Sequence, residues 1–77
     1  MSSMVDTILL RKIMIDAGLT TITSLSKKSG ISKNTLYSIF KGKKNPSTYI
    51  MVKLISALNI SPECAGNIFF NNNLRNM

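Results

Sequence analysis

Leu25-Ser26-Lys27-Lys28-Ser29-Gly30-Ile31-Ser32-Lys33-Asn34-Thr35-Leu36-Tyr37-Ser38-Ile39 is the stretch on which the reading of this chain turns. On both sides of Gly30-Ile31-Ser32 the apolar residues fall at helical spacing: Ile22 and Leu25, with Ser26, before it, and Leu36 and Ile39 after it. Thr21 suits the N-cap of the first of these helices, and Gly30 supplies the left-handed residue that ends it. Ser32 suits the N-cap of the second, and Gly42 its end. Two short helices joined by so tight a turn must cross steeply, which leaves the second one protruding. The residues it then turns outward are Lys33, Asn34, Tyr37, Ser38 and Lys41.

The same spacing continues in both directions. Leu10, Ile13, Met14 and Ala17 repeat at i, i+3, i+4 and i+7, with Asp6 placed to cap that helix and Gly18 to end it. Beyond Gly42, Lys43-Lys44-Asn45-Pro46 reads as a turn, Ser47 as a cap, and Met51, Leu54, Ile55 and Leu58 as a further helical stripe closed by Asn59. Ser61-Pro62-Glu63 combines a cap, a first-turn proline and an acid near the positive end of a helix that carries Ala65, Ile68 and Phe69 inward. The expectation is therefore an all-α, compact five-helix bundle containing a helix-turn-helix, with helices at about 6–17, 22–29, 33–41, 48–58 and 62–70. Residues 1–77 are expected to form a single helix-turn-helix domain with a disordered tail, 71–77.

Charge narrows the range of partners. The net charge is +7, and no acidic residue stands between Asp16 and Glu63, whereas Lys27, Lys28, Lys33, Lys41, Lys43, Lys44 and Lys53 do. Such a patch repels itself unless something anionic meets it, nucleic acid first and a membrane surface second. No apolar run approaches the roughly 18 residues of a membrane span. The N-terminal Met1-Ser2-Ser3-Met4 lacks the positive region and apolar core of a signal peptide. One cysteine, Cys64, and no histidine leave neither a disulfide nor a zinc site, which fits a reducing cytoplasm. Asp6, Asp16 and Glu63 all sit near helix ends, where capping and the helix dipole account for them, and no glycine-rich phosphate loop is present; an enzyme is not expected.

Lys33 and Asn34 occupy the first turn of the protruding helix, where such a helix meets base edges in the major groove. Lysine can donate to guanine O6 and N7, and asparagine can pair with adenine N6 and N7. Tyr37 and Ser38, one turn on, reach further bases or sugars. Lys27 and Lys28, late in the second helix, also complement its dipole, and Lys12, Lys53 and Arg75 read as solvated.

From Gly18 through Ser61 the chain resembles the Cro and lambdoid-repressor, or XRE-like, family of helix-turn-helix domains. The resemblance rests on the decisive stretch above, on Gly42-Lys43-Lys44-Asn45-Pro46-Ser47, and on Leu54-Ile55-Ser56-Ala57-Leu58-Asn59-Ile60-Ser61. It implies a five-helix fold that binds operator DNA as a symmetric dimer. Lys33, Asn34 and Ser38 match the base-reading positions. Lys43 and the Gly42–Asn45 backbone match the loop that grips phosphate. The start of the second helix also touches phosphate in this family, so the expected phosphate set is Thr21, Thr23, Ser32, Lys41, Lys43, Lys44 and Asn45. The dimer contact is expected near the last two helices, at Asn59, Ile60, Glu63, Phe69 and Phe70; because a helix cannot bury Ile68, Phe69 and Phe70 together, one of them should face outward.

The chain departs from the family in three places. Ile22 stands where members carry a glutamine that clasps the DNA backbone, so Thr21, Thr23 or Ser24 must take over. One extra residue lies between Gly18 and Ile22. Met14 and Phe40 stand where many members pair a buried arginine with a glutamate, and the expectation is that these two apolar side chains touch instead. The resemblance points to a sequence-specific regulator of transcription, a compact Cro-like repressor of phage or mobile-element origin. The alternative is a protein-interaction module, an antitoxin or adaptor, on the same fold. The expected partners are double-stranded DNA and a second copy of the chain, with no membrane, cofactor, metal or small-molecule ligand.

Overall fold

The structure, a computed structural model, describes residues 5–70; the tail 71–77 lies outside them. Five helices follow one another: α1 (Thr7–Asp16), α2 (Ile22–Ser29), α3 (Lys33–Phe40), α4 (Thr48–Leu58) and α5 (Pro62–Phe69). No strand occurs among the described residues, so the fold is all-α.

Each helix opens with a polar cap. Asp6, Thr21, Ser32, Ser47 and Ser61 each accept a hydrogen bond from the backbone N–H three residues on, at 3.1, 3.1, 3.2, 3.3 and 3.2 Å. A bond of this kind answers one of the donors a helix start leaves open and is worth about 1 kcal/mol. At Thr21 the cap is reciprocal, because Ser24 Oγ accepts from the Thr21 N–H at 3.2 Å. The chain leaves α2 through Gly30 at φ 76°, a conformation that L side chains resist. Asn59 closes α4 at φ 52°, one of the few types that tolerate this region.

The caps bring the apolar stripes onto one core: Leu10 and Met14 from α1, Leu25 from α2, Leu36 and Ile39 from α3, Leu54 and Leu58 from α4, and Ala65, Ile68 and Phe69 from α5. Val5, Ile31 and Ile60 join them from the connections. Helix α2 packs against both α3 and α4, and α1 against α5. The last pairing is fastened at its end, where the Asp6 N–H donates to the Ile68 carbonyl at 2.7 Å.

Ala17, expected on the inward face of α1, is exposed. The helix stops at Asp16, Ala17 serves as its C-cap, and Gly18 turns away at φ 84°, so the stripe ends with Met14.

Candidate nucleic-acid interface

The geometry of the interface begins in the turn between α2 and α3. Ile31 is buried in the core at 2% exposure and anchors the turn from inside. Two serines fasten it from the α2 side. The Ser26 hydroxyl donates to the Ile31 carbonyl. Ser29 Oγ donates to the Leu25 carbonyl at 2.7 Å and accepts the Ile31 N–H at 3.2 Å. Ser29 is buried, and with these bonds the turn leaves no buried side-chain polar atom unanswered. The sequence reading expected Ser26 inward but gave Ser29 no part.

Beyond this turn stands α3, eight residues and about 12 Å long, a length suited to a major groove of similar width. Leu36 and Ile39 hold one side in the core. Lys33, Asn34 and Lys41 are exposed, and Tyr37 is 47% exposed although aromatic. At offsets of 0, 1, 4 and 8 residues these four share one face. Ser38, expected beside them, is half-buried at the margin of that face, where its carbonyl accepts the Lys43 N–H at 2.9 Å.

The expected phosphate set divides by what each hydroxyl already does. Ser24 Oγ both accepts from the Thr21 N–H and donates to the Thr21 carbonyl at 2.7 Å, so the cap occupies it. Thr21 Oγ1 accepts from Ser24 and keeps its own proton to donate. Thr23 is exposed. Thr21 and Thr23 are therefore the groups at the α2 N-terminus able to replace the clasp that Ile22, half-buried against the core, does not make. Ser32 gives its proton to Thr35 Oγ1 at 2.9 Å and is a cap first. Lys41, Lys43, Lys44 and Asn45 are exposed around the α3–α4 connection, where Gly42 at φ 74° reverses the chain.

Lys53 is half-buried, its ammonium 4.8 Å from the Tyr49 ring centroid. The same nitrogen lies close to Gly30, where α2 ends. Met14 is buried and Phe40 packs on the same core cluster. Over the Phe40 ring stands the Arg11 guanidinium, 4.9 Å from the centroid, a pairing that the sequence reading, looking to Met14, missed. Cys64, half-buried, packs against the core as a free thiol.

Of the five residues expected at a dimer contact, Ile60 and Phe69 are buried within the protomer at 7% and 1% exposure. Their side chains complete the core where α4 turns into α5 and where α5 meets α1. Asn59, Glu63 and Phe70 are exposed, Phe70 at 43%, so it is the member of the Ile68–Phe70 run left outside.

A basic helix projecting from a core-anchored turn, with amide and ammonium donors on its outer face, defines a helix-turn-helix DNA-binding domain. The helix-turn-helix family model matches residues 10–63, most of the chain, and this protein belongs to that family, of the Cro/XRE-like type. It is a DNA-binding regulator of the XRE type. No characterised protein and no solved structure matches the chain significantly. Among the described residues no helix is long and apolar enough to cross a membrane.

Proposed function

We propose that this protein is a Cro-like repressor of phage or mobile-element origin, acting in the cytoplasm, that binds a palindromic operator as a homodimer with residues 1–77 working as one domain. The observation that carries this reading is the exposed face of α3, where Lys33, Asn34 and Tyr37 stand clear of the core. In that role Lys33 and Asn34 read base edges, and Tyr37 and Ser38 extend the contact. Thr21, Thr23, Ser32, Lys41, Lys43, Lys44 and Asn45 hold the phosphates on either side. Asn59, Glu63 and Phe70 form the surface offered to the second copy.

One α3 per subunit entering successive major grooves places the half-sites about 34 Å apart. The test is selection of bound duplexes from a random pool, followed by a salt titration of the winner. A palindromic consensus whose affinity falls with salt by a log–log slope of about −0.9 per phosphate contact supports the reading. Failure to enrich any duplex, or affinity indifferent to salt, overturns it in favour of a protein-interaction module.

A further inference from the structure

Arg11 belongs to no part of the interface described so far, and its setting is unusual for an exposed arginine. Its guanidinium lies 4.9 Å from the Phe40 ring centroid. No carboxylate pairs with it among the described residues, and its side of α1 is open to solvent. Phe40 ends α3 and falls seven residues after Lys33, two helical turns along the same side, at the border between the buried Leu36 and Ile39 and the exposed Lys33–Tyr37 face. Immediately after Phe40 come Lys41, Lys43 and Lys44, all exposed. The guanidinium therefore stands at the edge of the recognition face, where the α3–α4 connection begins.

A guanidinium is planar and always charged, and a contact with the face of a ring leaves its N–H donors free for other partners. That geometry suits bidentate contact with phosphate oxygens, and the ring limits the rotamer freedom the long side chain would otherwise lose on binding.

We propose that Arg11 is a phosphodiester-binding residue of the DNA interface, oriented by Phe40, so that the footprint extends onto α1. This rests on the DNA-binding reading of α3. Lys12, its exposed neighbour, has no such ring beneath it and serves as an internal control.

The test measures the salt dependence of binding to the selected operator and to an unrelated duplex for the wild type, Arg11→Gln, Lys12→Gln and Phe40→Leu, with thermal midpoints recorded in parallel. Arg11→Gln should reduce the log–log slope by about 0.9 and weaken both duplexes by the same factor. Lys12→Gln should leave the slope unchanged. Phe40→Leu, which retains the charge and most of the apolar volume, should keep the slope and lose only part of the affinity. An Arg11→Gln slope equal to that of the wild type, or an affinity loss accounted for by a lower folded fraction, overturns the proposal and leaves Arg11 as a packing group. Should the wild type itself show no salt-dependent duplex binding, the DNA reading falls and this proposal falls with it. If Arg11→Gln does not fold, Arg11→Lys decides: with charge kept and planarity lost, an affinity equal to that of the wild type on both duplexes overturns the planar contact, and a weakened one supports it.

Discussion

Ser29 makes two bonds with one hydroxyl, donating to the Leu25 carbonyl in α2 and accepting the Ile31 N–H in the turn. Alanine at 29 would fit the helix but would leave the buried Ile31 N–H without an acceptor, at a cost of about 1–3 kcal/mol. Urea denaturation of Ser29→Ala should show that loss; an unchanged midpoint would mean the turn is held by Ile31 and Ser26 without it. On the α3 face, Lys33→Ala or Asn34→Ala should relax preference at one base position by about 1–3 kcal/mol. Lys43→Ala should instead weaken every duplex alike and lower the salt slope by about one. Competition binding against single-base operator variants separates the two outcomes, and uniform losses for all three would remove Lys33 and Asn34 from base reading. Cap residues such as Ser32 and Ser47 were legible in the sequence because their bonds close within three residues. Ser29 was not, since a serine late in a helix looks the same whether its hydroxyl meets water or a turn amide. The Arg11–Phe40 pair was hidden for a different reason: its partners lie on separate helices, and no local spacing brings them together.

Among the elements, α3 is oddly charged. Its first residue is Lys33, and its first turn holds no acid, although a helix N-terminus carries the positive end of the dipole. Helices α2 and α4 likewise open without an acidic residue, whereas α5 has Glu63. Lys33→Glu should therefore stabilise the fold by about 0.3–1 kcal/mol while abolishing operator binding. A rise in the thermal midpoint together with lost binding would show that the recognition helix gives up stability for a positive tip; a fall in both would argue against it. Helix α1 shows the opposite balance between two near neighbours. Ile8 is 83% exposed and Leu10 fully buried. Ile8→Gln should change stability by no more than about 0.5 kcal/mol, and Leu10→Ala should lower it by about 2–5 kcal/mol, as measured by denaturant titration. All five helices could be read from apolar spacing and caps, because both signals are local. The Ala17 stripe position could not, because its meaning depended on whether the chain broke before or after it, and Gly18 favoured the earlier break.

At the scale of the molecule, the nine lysines and arginines of residues 5–70 face three carboxylates, and the acid-free span from Asp16 to Glu63 contains the whole helix-turn-helix. Two copies approaching one another feel that charge unless DNA lies between them. On the dimer reading, Ile60 and Phe69 are committed to the core, and Phe70 is the large apolar residue of the expected contact set that stays exposed. Phe70→Asp should weaken binding to the full palindrome while leaving a single half-site unaffected; gel-shift comparison of the two duplexes checks this, and equal losses on both would place Phe70 outside the interface.

The burial of Ile60 and Phe69 has a regulatory consequence. On the dimer reading, a protomer whose Ile60 and Phe69 complete its own core need not pair in order to fold, so its two copies are free to meet first on the operator. Promoter occupancy would then rise with the second power of its concentration at low levels. A gene controlled in this way would ignore basal synthesis of the regulator and respond sharply once a threshold was crossed.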